Sequence, residues 1–352
     1  MNRICLLLAM TAALSGCQTM GLESALNTRS VYTGDNSLLY KVQKQASSAD
    51  QAMQMAALAY QAGDLDQALF QYLRAIELEP KRYAALVWVG RIHRERGNTQ
   101  LAEMAFADVL ANDPDNLEGL AEMGLLNLAK RNHEGAQELL FKAVALDQRR
   151  LGNDQGNGLP AEAALKVENF KVENLKVDNQ SPLKAYNALG VLADLRNDFP
   201  LSEAYYHLAM LIEPRSVLVQ NSLGYSYYLA GQWPTAERTY QLGISYDASY
   251  KPLWRNYGLL LTRMERYEEA LSAFEQIGKP AQASNDVGYI CLVEGKLDVA
   301  EQFFRSAIEQ SPAHYDMAWE NLNRVQQVRR IRQMGGKPGS VAVAPLEEPV
   351  AQ

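Results

Sequence analysis

The residues of this 352-residue chain that most readily do chemistry are scattered rather than clustered. Its four histidines, His93, His133, His207 and His314, lie far apart in sequence, and none stands at metal-ligand spacing from cysteines or carboxylates. The sequence contains no glycine-rich phosphate loop, nucleophile elbow or paired-carboxylate motif. We therefore expect no catalytic residue, no metal, no other cofactor and no small-molecule substrate.

The first cysteine-containing motif indicates export. Arg3 precedes an apolar run from Ile4 to Ala13, which has the length of a signal-peptide core and is too short to span a membrane. The next residues, Leu14-Ser15-Gly16-Cys17, resemble a bacterial lipobox, which implies cleavage before Cys17 and lipid attachment to its sulfur. Gln18, where an Asp would imply retention in the inner membrane, implies the periplasmic face of the outer membrane. An ordinary signal peptide with an incidental cysteine is the alternative.

Composition fits an exported, acidic protein. Removal of residues 1–16 takes away Arg3 and Cys5, so the formal charge changes from −7 to −8. An acidic balance, with a sequence pI of about 5.3, argues against a nucleic-acid partner. Lipid on Cys17 leaves Cys291 without a disulfide partner, and we expect Cys291 to be buried as a small hydrophobe.

Small residues recur in two series with a 34-residue period, which is interrupted once and is 30 residues between the sixth and seventh units. The first series is Ala56, Gly90, Gly124, Gly190, Gly224, Gly258 and Gly288; the second is Ala68, Ala102, Ala136, Ser202, Ala236, Ala270 and Ala300. Four residues after each member of the second series stands a large side chain: Tyr72, Phe106, Leu140, Tyr206, Tyr240, Phe274 or Phe304. This pattern predicts pairs of amphipathic helices whose small residues permit close approach.

Glycines mark the turn inside most pairs, and prolines end several of them. The turn glycines are Gly63, Gly97, Gly231 and Gly295, and the prolines are Pro80, Pro114, Pro214 and Pro312. Arg131 and Glu265 stand at the turn position of the third and sixth units. The whole pattern resembles the tetratricopeptide repeat, which implies an all-α, right-handed superhelical solenoid of helix-turn-helix repeats.

Seven repeats and their flanking segments account for the whole chain. We expect a signal peptide at 1–16, a lipidated tether at 17–48, repeats one to three at 49–150, an insertion loop at 151–182, repeats four to seven at 183–314, a capping helix at 315–334 and a disordered tail at 335–352. The insertion carries three similar pentads from Leu165 to Asn179, whose five-residue period fits neither helix nor strand. Two interpretations remain open, a binding loop and a surface insertion without function.

In the tetratricopeptide family the first helix of each pair lines a concave, protein-binding groove. The family's fifth helix position corresponds here to Asn187, Asn221, Arg255 and Asn285, and neighbouring positions correspond to Tyr225, Tyr228 and Tyr289. Because an Asn side chain both donates and accepts hydrogen bonds, such a ladder could hold the backbone of an extended peptide. The alternative is that the asparagines are incidental and the tyrosines only pack.

Repeat three differs at these positions because it offers an apolar strip. The strip consists of Ala121, Leu125 and Leu128. It could bind a partner helix or be covered by the insertion.

The C-terminal repeats carry a narrower resemblance. Residues 285–295 (Asn-Asp-Val-Gly-Tyr-Ile-Cys-Leu-Val-Glu-Gly), 300–304 (Ala-Glu-Gln-Phe-Phe) and 318–322 (Ala-Trp-Glu-Asn-Leu) are similar to the TadD family, the lipoproteins of Tad (tight adherence, Flp pilus) assembly. This resemblance implies a scaffold that supports secretin assembly, with the secretin or other Tad pilus proteins as partners. A pilotin-like lipoprotein of another type IV pilus or secretion system is one alternative. An adaptor that regulates peptidoglycan hydrolases is the other.

Overall fold

The computed structural model describes residues 46–153 and 171–334, and within these ranges the chain is all-α. Fifteen α-helices and one short 3₁₀-helix are present in the described ranges, without a strand. The all-α helix-pair fold predicted from the repeat pattern is confirmed. The signal peptide, the lipobox, most of the tether and the tail lie outside the described residues. None of the described helices combines the length and apolar character needed to cross a membrane.

Except between α6 and α7, where the insertion lies, the helices follow one another with short connections, as pairs do in repeat proteins. Their bounds are α1 Ala49–Gln61, α2 Leu65–Leu78, α3 Tyr83–Glu95, α4 Thr99–Asn112, α5 Leu117–Ala129, α6 His133–Arg150, α7 Leu183–Leu195, α8 Phe199–Ile212, α9 Val217–Leu229, α10 Trp233–Tyr246, α11 Lys251–Arg263, α12 Tyr267–Glu275, α13 Pro280–Val293, α14 Leu297–Gln310 and α15 Asp316–Gln333. The 3₁₀-helix spans Val172–Asn174. The chain forms two compact units, one ending at Glu122 and the other beginning at Met123.

Each helix pair is closed by one contact between a small residue and a large one, separated by sixteen residues. A Cβ added to Gly224 would lie 2.5 Å from Cε1 of Tyr240, and one added to Gly190 would lie 2.5 Å from Cε1 of Tyr206. The large partners are almost completely buried: Tyr72, Phe106, Leu140, Tyr206, Tyr240, Phe274 and Phe304. The two helices of a pair can therefore approach only because the first helix has no bulk at this point.

The turn inside each pair requires one residue in the left-handed backbone region. Glycine supplies it in four repeats, and Gly231, for example, has φ +74°. Arg131, Asn197 and Glu265 adopt the same conformation with φ near +60°. The turn geometry is thus kept where glycine is absent, although a residue with a Cβ is disfavoured there.

The first helices of successive repeats also contact one another in the second unit. Helix α7 packs against α9, α9 against α11, α11 against α13, and α13 against α15. This row of first helices is the surface on which the family's groove is expected. Side chains on it therefore have neighbours about 34 residues away in sequence.

We predict that Gly224→Ala destabilises the second unit. The added methyl group would overlap the Tyr240 ring, and overpacking of a tight contact costs about 1–3 kcal/mol. We expect the melting temperature to fall by about 2–4 °C for each kcal/mol. Thermal unfolding followed by circular dichroism would measure the loss, and Gly224→Val should cost more than Gly224→Ala. Unchanged melting in both variants would contradict the importance of this contact.

Candidate functional site

A cavity of about 620 Å³ opens among the first helices of the second unit. Side chains from α5, α7, α9 and α11 line it. Its aliphatic lining consists of Leu125, Leu128, Val191, Leu195, Leu218 and Leu229. Its polar lining includes Asp194, Asn221, Tyr225 and Asn256. The cavity is thus largely apolar with a few polar groups, which is the usual character of a binding pocket.

The seven residues predicted to line the groove have different surroundings. Asn221 and Tyr225 line the cavity. Asn187 and Asn285 are buried, whereas Arg255 is exposed. Tyr228 and Tyr289 are half-buried. Contact of these residues with a ligand stays a prediction, and the structure brings only the first two into the cavity.

Two of the predicted asparagines form hydrogen bonds between repeats. Nδ2 of Asn256 on α11 donates to Oδ1 of Asn221 on α9 at 2.9 Å. Nδ2 of Asn321 on α15 donates to Oδ1 of Asn285 on α13 at 3.0 Å. The asparagines therefore tie neighbouring first helices together. Sequence analysis missed Asn256 and Asn321, although an Asn at 35 or 36 residues after another on a first helix was a usable signal.

The two asparagine pairs differ in what remains available to a ligand. In the second pair, Nδ2 of Asn285 lies 3.5 Å from Sδ of Met317, and Arg324 donates to Oδ1 of Asn321 at 3.3 Å. In the first pair, Nδ2 of Asn221 and Oδ1 of Asn256 have no hydrogen-bond partner among the described residues. The Asn221–Asn256 pair therefore presents one donor and one acceptor at the cavity.

Asn187, the third predicted asparagine, has no such pair. Its Oδ1 is buried without a hydrogen-bond partner among the described residues. The residue 35 positions after Asn187, the spacing that separates Asn256 from Asn221, is Ser222, and its hydroxyl donates to the carbonyl of Leu218 at 3.1 Å. The predicted ladder of asparagines is therefore interrupted at repeat four.

A buried carboxyl group, that of Asp194, lies beside the cavity in a cluster with three hydroxyl groups. Oδ2 of Asp194 accepts a hydrogen bond from the Tyr206 hydroxyl at 2.7 Å, and Oδ1 lies 2.6 Å from Oγ of Ser226. Oγ of Ser226 lies 2.9 Å from Oγ of Ser202. Burial raises the pKa of Asp194, while the hydroxyl groups oppose that rise. Sequence analysis named Ser202 and Tyr206 only as packing positions of the repeat, and it did not single out Asp194 or Ser226.

The predicted tyrosines pack with one another and with an arginine. The Tyr225 and Tyr228 rings stack with centroids 5.5 Å apart, and the Arg263 guanidinium lies 5.6 Å from the Tyr228 centroid. Burial raises the pKa of Tyr228 to about 12. Arg263 is held in turn by Glu294, at 2.6 Å. Tyr228 thus has a packing role, as the alternative interpretation allowed, and Tyr225 combines packing with a place at the cavity.

Asn285 and Arg255, two further predicted groove residues, lie near a half-buried carboxyl group, that of Asp286. Burial raises the pKa of Asp286 to about 6, and both a hydrogen bond from Asn285 and the positive charge of Arg255 oppose that rise. Burial, and after it the negative charge of Asp286, raises the pKa of Tyr315. Arg255 therefore already has an electrostatic partner within the chain.

The described end of the insertion, residues 171–182, packs against the neighbouring helices. Gln148 on α6 donates from Nε2 to the Lys176 carbonyl at 2.7 Å and accepts from the Lys176 N–H at 3.0 Å. Arg150 forms two hydrogen bonds with the Asp178 carboxylate, at 2.8 and 2.6 Å. Val172 and Leu175 are buried. None of residues 171–182 lines the cavity, and the remainder of the insertion, 154–170, lies outside the described residues.

The described residues include no group of His, Cys, Asp and Glu that could hold a metal ion. Cys291 is fully buried with a free thiol, as expected from the sequence. Burial raises the pKa of this thiol to about 11, so the reactive thiolate is disfavoured.

Comparisons with known proteins agree with the helix-pair architecture. A tetratricopeptide repeat model matches residues 53–116 and 258–315. The chain is 24% identical over 217 residues to tetratricopeptide repeat-containing protein trd-1 of Caenorhabditis elegans, an alignment that covers 62% of this chain and 23% of that protein. The chain thus spans about a quarter of the length of this curated relative.

Two solved structures that match this chain differ in how closely they superpose on it. The chain matches the APC/C hetero-tetramer Cut9-Hcn1 with a TM-score of 0.53 and 14% identity, over 79% of this chain and 51% of that one. It matches the type IV pilus biogenesis factor PilW with a TM-score of 0.44 and 16% identity, over 79% of this chain and 98% of that one. The repeat model and the first of these structures show a tetratricopeptide repeat fold.

We predict that Gln148→Ala releases the described end of the insertion. The change leaves the Lys176 N–H and carbonyl without their partner, and each unsatisfied buried group costs about 1–3 kcal/mol. Trypsin should therefore cut after Lys176 about tenfold faster, because each 1.4 kcal/mol changes an opening equilibrium tenfold. Glu138→Ala, at an exposed position of the same helix, is the control. Equal cleavage rates in both variants would show that Gln148 does not hold this segment.

Proposed function

We propose that this chain, which is built of tetratricopeptide repeats, is a lipid-anchored adaptor that holds an extended segment of a pilus-assembly protein. The observation that carries the proposal is the cavity with its open Asn221–Asn256 pair. An extended peptide exposes a carbonyl and an N–H at every residue, and the pair offers one donor and one acceptor to them. Backbone recognition of this kind binds a strand, while the aliphatic lining receives a side chain.

The position of the polar groups supports a protein ligand more than a small molecule. The pair joins α9 to α11, and Tyr225 lies one turn after Asn221 on α9. Tyrosine is enriched in the buried parts of protein interfaces because it adds large, rigid contact area. A segment that follows the row of first helices would meet these groups in succession.

The lipobox resemblance at residues 14–17 supports an anchor on the periplasmic face of the outer membrane. Lipid on Cys17 would bury acyl CH₂ groups at about 0.8 kcal/mol each, and stable anchoring requires more than one chain. Anchoring raises the effective concentration of the groove near a membrane-embedded partner without any additional contact. The anchor and the groove therefore act together.

The resemblance of residues 285–322 to the TadD family supports the choice of partner. In that family the expected role is assembly or stability of the secretin through which the Flp pilus leaves the cell. A secretin, or another Tad pilus protein, is accordingly the partner we propose. The pilotin-like alternative requires a different type IV secretin as the partner. The envelope-regulator alternative requires a peptidoglycan hydrolase.

We predict that Asn221→Ala weakens partner binding about tenfold, because the loss of one hydrogen bond in a buried site costs roughly 1–2 kcal/mol. Asn285→Ala is the matched control, since it also removes a hydrogen bond between first helices but lies outside the cavity. The measurement is crosslinking in membranes, capture of the protein and quantification of secretin by mass spectrometry. Equal secretin recovery from both variants would move the site elsewhere, and capture of hydrolases instead would favour the envelope-regulator alternative.

We predict that Cys17→Ser leaves a folded protein that no longer sediments with outer membranes and no longer incorporates labelled palmitate. The thiol is the only group on which the lipobox chemistry can act. Circular dichroism of the variant checks that the fold is retained. Continued sedimentation with outer membranes would contradict the lipid anchor.

A further inference from the structure

Four oxygen–oxygen contacts form a continuous chain beside the cavity. They join Tyr206 to Asp194 at 2.7 Å, Asp194 to Ser226 at 2.6 Å, Ser226 to Ser202 at 2.9 Å, and Ser202 to the Phe199 carbonyl at 2.9 Å. The residues come from three helices, since Asp194 lies on α7, Ser202 and Tyr206 on α8, and Ser226 on α9. The chain of contacts therefore crosses the junction between repeats four and five.

Each of these contacts needs one hydrogen between its two oxygens. The three hydroxyl groups of Tyr206, Ser226 and Ser202 supply three hydrogens for four contacts. An ionised Asp194 supplies none, so one contact would be left without a hydrogen. A neutral carboxylic acid supplies the fourth: Tyr206 donates to Asp194, Asp194 to Ser226, Ser226 to Ser202, and Ser202 to the Phe199 carbonyl.

The burial of the Asp194 carboxyl group also favours the neutral acid. Asp194 is 6% exposed, and Ser202, Ser226 and Tyr206 are between 0% and 2% exposed. Burial disfavours a carboxylate and raises the pKa of Asp194. Arg131, His133, Tyr225 and Tyr250 are the other titratable groups of the cavity lining. None of them appears among the causes of the Asp194 pKa shift, in which burial raises the pKa and outweighs the three hydroxyl groups, which lower it.

We propose that Asp194 is a neutral carboxylic acid that donates to Ser226, so the cavity receives an uncharged aliphatic side chain and rejects a basic one. The six aliphatic residues of the lining match such a side chain, whereas an ionised Asp194 would attract a lysine or arginine. The specificity rests on the proposed function, because it assumes that a peptide binds in the groove. The protonation state of Asp194 does not depend on that assumption. Asp194 acts as a specificity-determining residue and as a joint between two repeats.

The direction of the pH effect follows from the raised pKa. The folded protein keeps the Asp194 proton to a higher pH than the unfolded chain does. The stabilisation from this group is therefore complete at low pH and is lost as the pH rises through the folded-state pKa.

The first experiment replaces Asp194 by Asn, which imitates the neutral acid. The Asn carboxamide donates through Nδ2 to Ser226 and accepts through Oδ1 from Tyr206. Infrared spectroscopy at neutral pH should show a protonated-carboxyl C=O band in the wild type that is missing from Asp194→Asn. Glu213→Gln, at an exposed carboxylate, is the control and should leave the band in place.

Melting temperatures give a second readout of the same state. Asp194→Asn should melt like the wild type at acidic pH and should be the more stable of the two at neutral pH, because ionisation of Asp194 stabilises only the unfolded wild-type chain there. Asp194→Ala should melt lower at every pH, because it leaves the buried Tyr206 and Ser226 hydroxyls unpaired. Absence of the band, together with lower melting of Asp194→Asn at neutral pH, would overturn the neutral acid.

A randomised peptide library displayed on phage tests the ligand class with the wild-type protein. Selection at neutral pH should enrich peptides with an aliphatic anchor residue, and selection of a lysine or arginine anchor would overturn the specificity. Failure to enrich any peptide would overturn the peptide groove and the specificity based on it. The infrared band would still decide the protonation state, so the two proposals fail in distinguishable ways.

Discussion

Every helix pair in this protein depends on one steric constraint, the contact between a small residue on the first helix and a large buried side chain sixteen residues later. Gly224 and Tyr240 are an example, since a single added methyl carbon would lie 2.5 Å from the ring. Close approach lets the aromatic ring fill the space between the helices. Because every repeat makes this contact at the same position, the two helices of each pair approach each other at the same point.

The polar residues between repeats have a structural role before they have a binding role. The Asn221–Asn256 hydrogen bond joins two first helices, and so does the Asn285–Asn321 bond. A buried amide that found no partner would cost free energy, so pairing is what permits asparagine in this row. Function then depends on which atoms the pairing leaves over. In the first pair a donor and an acceptor remain, while in the second pair Met317 and Arg324 take them up.

The contact chain through Asp194 adds a second joint at the same place. It links three helices, whereas each asparagine pair links two. Hydroxyl groups and a carboxyl can satisfy one another in a dry junction only when the number of hydrogens matches the number of contacts. The junction between repeats four and five is therefore polar inside and apolar at the cavity, where Val191 and Leu195 flank the acid.

The sequence alone determined the helix pairs, because the 34-residue period and the contact at sixteen residues are local relations within one repeat. It also predicted that Cys291 would be buried. Only the tertiary structure decided which groove residues remain open, since the partners of Asn221 and Asp194 come from other helices, up to 35 residues away. No pattern within one helix shows whether an amide is already paired. The hydrogen-bond partners of a repeat surface are supplied by its neighbours, and for that reason Asp194, Ser226 and Asn256 became visible only in the folded chain.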